Sequence, residues 1–319
     1  MTGVRHPLAF SKDGHTLAAL TRDGGAVVFM NLATGEPEQQ FELENKRGRF
    51  GPFGPGAFSS SVALSDDLRT LACAQDDGTV RLWDTATRES TTLKVSDGPA
   101  ELLALSPDGH GLLTRGRDWV VRRWDLRAGT NIAWRTEAFR VLLSPDGRLM
   151  ASAGRSNVVQ LWDATSLALR AKLECEESPG SGFGGFTATF SADGRLIAIV
   201  YQDDAIRLWD TTTGQLLGTC IGHKQAVRSV AFSPDAQTLA TASDDSTLKL
   251  WNIATQQELL TVRQLGATLS GLLFSPDGRM LVGGSGAFSQ SGGIRLFRAP
   301  LFRETDVAKV PANLEAASP

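Results

Sequence analysis

The chain has 319 residues, with 32 Lys and Arg against 35 Asp and Glu, a formal net charge of −3 and 41% hydrophobic residues. That balance argues against a broad nucleic-acid surface, which needs a clustered basic field. The longest apolar runs, such as Leu196 to Tyr201, are too short to span a bilayer, and the opening Met1-Thr2-Gly3-Val4-Arg5 carries no signal-peptide core. Three cysteines, Cys73, Cys175 and Cys220, share no repeat position and form no CxxC, which points to reduced thiols and a cytoplasmic setting.

Along the chain, a Ser-Pro-Asp-Gly-like turn is followed 18 residues later by an aromatic residue closing an apolar-basic-apolar run. The interval holds from Ser11 to Phe29, Ser65 to Trp83, Ser106 to Trp124, Ser144 to Trp162, Ser191 to Trp209 and Ser233 to Trp251. A seventh copy, Ser275 to Phe297, is stretched to 22. Length alone would suggest about two domains, but a repeat of this kind fills nearly the whole chain and organises the fold. The sixth copy shows the logic. Ala226–Phe232, Thr238–Ser243 and Thr247–Trp251 are short segments rich in β-branched and apolar residues, separated by turn clusters at Ser233-Pro-Asp-Ala and Asp244-Asp-Ser. A fourth segment follows each Trp, as in Gln215–Ile221. The intervals leave no room for an ordinary helix. Pro sets φ at the second position of the Ser-Pro-Asp-Gly turn, and Gly suits its last. Each unit is therefore a four-stranded antiparallel meander, strands a to d. Stacking seven of them in a ring buries faces that one small sheet cannot bury alone.

These residues resemble the WD-repeat family of β-propellers, and the regular Ser-Pro-Asp-Gly-Arg phrasing resembles its bacterial members. Trp-Asp is literal at Trp83-Asp84, Trp124-Asp125, Trp162-Asp163 and Trp209-Asp210; it becomes Trp251-Asn252 in copy six, Phe29-Met30 in the first and Phe297-Arg298 in the last. The resemblance implies an all-β, seven-bladed propeller over residues 1–310, followed by a disordered C-terminal tail at 311–319. It also implies a structural hydrogen-bond tetrad, complete only in the sixth copy: His223, Thr241 or Ser243, Asp245 and Trp251. The turn Asp recurs at Asp23, Asp77, Asp118 and Asp203 but is Ser156 and Ser291 elsewhere. A His-Ser-Asp catalytic reading of the tetrad yields to the structural one, because its members match the family's buried network.

Met1 falls where strand a of the first unit begins, so no spare N-terminal strand is left to close the ring. Each blade is expected to use contiguous chain, with the outer strand of blade seven near Glu304–Val310. The abrupt start equally fits a piece of a larger protein. The anchor interval of 41 or 42 lengthens to 54 between Ser11 and Ser65 and to 47 between Ser144 and Ser191. Both insertions fall in d–a connections, and the stretch Gly283–Gly293 falls in a b–c turn. In a meander these lie at one end of the ring, conventionally the top, and long loops on one side of a rigid scaffold commonly carry binding. The first insertion offers Arg47, Arg49 and Phe50. The second contains a formal GxGxxG, Gly180–Gly185, but a strand rather than a helix follows, which makes it a poor dinucleotide site.

The residues preceding the turn Asp also point to the top rim: Arg22, Asp76, Arg117, Arg155, Gln202 and Asp244. Three arginines there suit a carboxylate- or phosphate-bearing peptide, and Trp119 suits an interface anchor. Arg123 occupies a slot that is Leu in most other copies; a local ion pair with the next blade is the simplest expectation. No P-loop, HExxH, paired metal-ligand spacing or nucleophile elbow is present. His15 and His110 follow Asp-Gly in equivalent turns and read as solvent-facing. The expected function is a non-catalytic, monomeric scaffold that binds a protein or peptide partner on its top face, without cofactor, metal, nucleic acid or membrane. The alternatives are a sensory or regulatory module of a larger bacterial signalling protein, and an enzyme or small-ligand binder using the central channel.

Overall fold

The computed structural model describes residues 4–21, 23–43, 62–116, 118, 120–135, 138, 140–154, 158–174, 187–201, 203–263, 265, 269–285 and 293–298. Blade one holds β1 (Val4–Phe10), β2 (Thr16–Thr21), β3 (Ala26–Asn31) and β4 (Pro37–Glu42). Blade two holds β5 (Val62–Leu64), β6 (Thr70–Ala74), β7 (Thr79–Asp84) and β8 (Ser90–Lys94). Blade three holds β9 (Glu101–Leu105), β10 (Gly111–Arg115), β11 (Val120–Asp125) and β12 (Thr130–Arg135). Blade four holds β13 (Arg140–Leu143), β14 (Leu149–Ala153), β15 (Val159–Asp163) and β16 (Leu169–Leu173). Blade five holds β17 (Thr187–Phe190), β18 (Leu196–Val200), β19 (Ile206–Asp210) and β20 (Leu216–Cys220). Blade six holds β21 (Val227–Phe232), β22 (Thr238–Ser243), β23 (Leu248–Asn252) and β24 (Glu258–Val262), and blade seven β25 (Leu269–Phe274), β26 (Met280–Ser285) and β27 (Ile294–Arg298). Within every sheet the strands follow chain order and pair antiparallel. The fold is a seven-bladed, all-β propeller. The outer strand expected for blade seven at Glu304–Val310, and the tail beyond it, lie outside the described residues.

The Ser anchor has a local cause. In blade two, Ser65 Oγ donates to Asp67 Oδ1 at 2.6 Å and accepts the Thr70 N–H at 2.9 Å, while Asp67 Oδ1 also accepts the Arg69 N–H at 3.0 Å. The same Ser–Asp bond closes the a–b turn of every blade, at Ser11, Ser65, Ser106, Ser144, Ser191, Ser233 and Ser275. The fourth turn position has φ near +70° where it is Gly, as at Gly147; Leu68 (59°) and Ala236 (54°) adopt the same left-handed conformation without glycine. The Asp of Trp-Asp caps the next turn. Asp84 Oδ1 accepts the N–H groups of Ala86 at 2.8 Å and Thr87 at 2.9 Å, and Asp125, Asp163 and Asp210 do likewise.

Each Trp faces the preceding blade. Trp83 packs with Leu20, Val27 and Phe41 of blade one; Trp251 packs with Val200, Ile206 and Leu208 of blade five. Burying a Trp side chain removes about 150–250 Å² from water, an upper bound of roughly 4–6 kcal/mol per blade at about 25 cal/mol per Å². Blade one corrects the expected alignment. Its counterpart of Trp-Asp is Met30-Asn31, not Phe29-Met30. Met30 packs on Val282 and Ile294 of blade seven, and Asn31 Oδ1 caps Ala33 and Thr34, whereas Phe29 faces blade two. The register shows why: Leu17 pairs with Met30, where Leu71 pairs with Trp83, because the b–c turn through Gly24-Gly25 is one residue longer. The ring closes as β1 packs against blade seven while pairing only with β2 of its own blade. Residues 4–10 thus form an inner strand, and closure is by packing of faces.

Candidate functional site

The b–c turns and d–a connections share one end of the ring, and the chemistry there is set blade by blade by the partner of the turn Asp. In blade six, Trp251 Nε1 donates to Thr241 Oγ1 at 2.8 Å, His223 Nε2 lies 2.7 Å from the same oxygen, and His223 Nδ1 lies 3.0 Å from Asp245 Oδ2. A carboxylate only accepts, so Nδ1 carries the ring proton. Burial lowers the His223 pKa, against an opposing pull from Asp245, so the ring is neutral and Nε2 accepts from the Thr241 hydroxyl. Burial pushes the Asp245 pKa upward, but hydrogen bonds from Thr247, the Lys224 N–H and His223 outweigh it and hold the carboxyl well below its usual range. Thr241 fills the hydroxyl position of the tetrad. Ser243 instead donates to the Gln225 carbonyl at 2.8 Å and accepts the Asp245 N–H at 3.1 Å. The His223 side chain is 0% exposed, so this constellation ties the sheet together and meets no substrate.

Other blades satisfy the same carboxylate differently. Arg122 pairs with Asp118 at 2.7 Å in blade three, and Arg207 pairs with Asp203 at 2.6 and 3.0 Å in blade five. In blades one and two the hydroxyls of Thr21 and Thr79 do so, at 2.7 and 2.6 Å. In blade two Arg81 donates to Ser90 Oγ and lies over the Trp83 ring. The indole partner also varies. Trp124 donates to Thr114 at 3.0 Å and Trp162 to Ser152 at 2.8 Å, but Ile199 stands at that position in blade five, and the buried Trp209 Nε1 has no hydrogen-bond partner among the described residues.

Of the top-rim residues singled out in the sequence, Asp76 and Asp244 fall among those described. Asp244 accepts from Arg228 Nε at 2.6 Å, and Arg228 is 53% exposed at the head of its inner strand. Arg22, Arg117, Trp119, Arg155, Gln202, Arg47, Arg49 and Phe50 lie outside the described residues. A cleft of 540 Å³ opens at this end between blades two and three, lined by Lys94, Val95, Ser96, Asp97, Gly98, Asp118 and Arg122. Lys94 reaches the Asp77 carbonyl at 2.7 Å, and Ser96 Oγ donates to the Gly98 carbonyl.

The family WD40, described as "WD domain, G-beta repeat", matches residues 55–84, 138–163 and 214–252. WD40 repeats thus occur on a seven-bladed propeller. The chain is also similar to the U3 small nucleolar RNA-associated protein 18 homolog of Arabidopsis thaliana, 30% identical over 115 residues. That stretch is 34% of this chain, which spans about a fifth (20%) of the relative's length.

Among the described residues lies a buried ion pair that sequence reading missed. Arg115, 2% exposed, bonds Glu101, 8% exposed, across the β9–β10 pairing and donates to the Ala138 carbonyl in the connection to blade four. Its signal was legible: an Arg stands where blades two, four and six have Ala74, Ala153 and Ala242. Arg123, by contrast, forms no ion pair among the described residues. His15 is exposed and His110 half-buried on the opposite face. Burial pushes the Cys73 thiol up to about 12 and the Cys220 thiol to about 11, so neither is a nucleophile near neutral pH. Among the described residues, no group of three His, Cys, Asp or Glu side chains is placed to hold a metal, and no helix is long and apolar enough to cross a membrane.

Proposed function

We propose that this propeller is a non-catalytic scaffold that binds a protein partner through its top face. WD40 propellers generally mediate protein interactions and are typically non-enzymatic. The observation that carries the reading for this chain is a coincidence of ends. The interblade cleft and the exposed Arg228–Asp244 pair belong to the same d–a connections and b–c turns in which the repeat lengthens. The rim arginines, Arg22, Arg117 and Arg155, favour an acidic segment in this reading, because a guanidinium holds a carboxylate or phosphate bidentately. The reading places the chain in the cytoplasm, in line with cysteines that are buried and unpaired at Cys73 and Cys220.

Affinity capture with the wild type, an Arg22, Arg117 and Arg155 to Glu variant, and a bottom-face control carrying Arg148→Glu and Arg195→Glu tests it. Arg148 and Arg195 are 85% and 80% exposed on a–b turns. Partners should be lost from the first variant and retained by the control; equal recovery from all three refutes the assignment. A second reading draws on the relative whose name ties it to a small nucleolar RNA. In it, the propeller serves as a protein-binding platform inside a ribonucleoprotein. Retention of captured partners after ribonuclease treatment separates direct protein contact from RNA tethering.

A further inference from the structure

Six large aliphatic side chains stand exposed among the described residues: Ile132, Leu169, Leu216, Leu217, Ile221 and Leu259. All six lie on, or directly after, the outer strands of blades three to six, and three of them belong to the edge formed by β20 and Ile221. An outer strand pairs on one side only, so its other side offers backbone N–H and C=O groups to another chain, and proteins guard such edges with charge. That guard is present on β4 (Glu38, Glu42), β8 (Lys94), β12 (Arg135), β16 (Arg170, Lys172) and β24 (Glu258). β20 has none, and no charged residue falls between Thr211 and Gly222.

The register says which way this edge faces. Thr219 pairs with Arg207, whose guanidinium stacks on Tyr201 in the cluster shared with blade four, so Thr219 lies on the blade-four side. Gly218 faces blade six, its Cβ position 2.5 Å from Gln256, and Cys220 is buried with Val227 and Trp251. Leu216 and Leu217 lie together opposite Trp209 across a β-bulge, on the same side as Thr219. Ile221, two residues beyond Thr219, joins them by alternation. Leu217 is 48% exposed and Ile221 74%, and they stand at equal distances along the chain from Thr219. We propose that β20 pairs antiparallel with β20 of a second copy of this chain, about a two-fold axis at Thr219. Each Leu217 then faces Ile221 of the other copy on one side of the joined sheet, and the two Thr219 side chains meet between them. Charge selects this edge over its neighbours. A two-fold contact brings the same element of both copies together, so a charged edge meets its own charge, which destabilises cross-strand pairs; β20 brings none. The sequence reading expected a monomer, and this edge argues for a pair. The strands run between the two ends of the ring, so antiparallel pairing turns the two top faces in opposite directions and leaves both open to partners.

Sedimentation of the full chain over about 1–300 µM tests it, because so small a contact belongs among weak interfaces with a Kd in the micromolar range. The wild type should pass from monomer to dimer across that range, and Ile132→Lys, on the outer strand of blade three, should do the same. A variant carrying Leu217→Lys and Ile221→Lys, and another carrying Leu217→Glu and Ile221→Glu, should each stay monomeric by repulsion. Mixed, they should form a one-to-one dimer, because every substituted position then faces the opposite charge. Restoration on mixing also shows that both variants fold. Thr219→Cys should give a disulfide-linked dimer under diamide, since facing residues of an antiparallel pair have Cα atoms about 4.5–5.5 Å apart, within the span of a disulfide. The wild type, whose Cys73 and Cys220 are buried, should not. A wild type that stays monomeric, or a dimer that both charge variants keep, overturns the proposal. So does the absence of a Thr219→Cys cross-link, a measurement that needs neither charge variant. A Thr219→Cys chain that cross-links to a captured polypeptide and forms no dimer assigns the edge to a different chain and overturns the second copy. The capture experiment on the top face uses other residues, so the scaffold reading and this inference stand or fall separately.

Discussion

Trp209 offers a direct measure of what the tetrad hydroxyl contributes. Among the described residues its buried Nε1 has no partner, because Ile199 occupies the position of Thr241, and Ile199 pairs with Arg207 as Thr241 pairs with Lys249. A threonine at 199 therefore places Oγ beside the indole, as Thr114 and Ser152 do in their blades. The comparison that isolates this bond is Ile199→Thr against Ile199→Val, since Val and Thr have the same shape. Ile199 is 1% exposed, so Ile199→Val loses one methylene and costs about 1 kcal/mol. An unsatisfied hydroxyl would make Thr worse than Val by about 1–3 kcal/mol. Satisfying both the hydroxyl and the orphan indole N–H reverses that sign: Ile199→Thr should exceed Ile199→Val by about 1 kcal/mol and lie near the wild type. Urea unfolding of the three proteins, with the Trp209 indole N–H resonance as a local witness, measures it. A threonine variant less stable than the valine variant by about 1 kcal/mol or more refutes the reasoning.

In blade six, Thr241→Val removes the acceptor of Trp251 and the donor to His223 together, and should cost about 2–4 kcal/mol in urea unfolding. Burial lowers the His223 pKa below its unfolded value, so the unfolded chain binds more protons between the two; stability is full above about pH 6.5 and falls as pH drops toward the folded pKa. Stability curves against pH should lose that slope in His223→Gln, and an unchanged slope would assign it elsewhere. Ala236 sits at φ 54°, so Ala236→Gly should stabilise by about 0.5–1 kcal/mol, read as a raised melting temperature, despite the added freedom of the unfolded chain. For the buried pair, Arg115→Met or Glu101→Met alone should cost about 3–5 kcal/mol and the double variant far less, because each single change strands a charge. Additive losses in that cycle would show the pair to be uncoupled.

The blade count and strand order were legible because one local device recurs. A Ser–Asp turn and an Asp-capped turn fix both bottom connections of a unit, so their spacing records strand length directly. The same counting misplaced the Trp-Asp counterpart of blade one, since an anchor interval cannot reveal that the Gly24-Gly25 turn holds an extra residue and shifts the register by one. Thr241 and Ser243 could not be separated either. Both are buried, and two residues apart they share one strand face, so only the cross-strand register decides which one meets the indole. Arg115 was readable in principle as a charge in an alanine slot, but its partner Glu101 emerges only from the β9–β10 register. The cleft was the least legible feature, because its lining joins residues 94–98 of one connection to Asp118 and Arg122, which lie some twenty residues further along the chain and meet them only in the folded ring.

What varies across the ring is the partner of one carboxylate, and this separates holding from binding. The indole faces and bottom turns repeat with little change, so the ring itself does not depend on how each turn Asp is satisfied. His223 buries Asp245, leaving it 6% exposed, and closes the surface of blade six; Arg122 leaves Asp118 42% exposed beside an open cleft. A carboxylate paired by an arginine on its own strand keeps its charge and part of its accessibility, whereas one locked under a buried imidazole offers neither to a partner. The blades that depart from the full tetrad are therefore the ones whose top turns remain chemically available. Blade three departs at Ser96, which stands where blade six has His223, and there Arg122 takes the carboxylate instead.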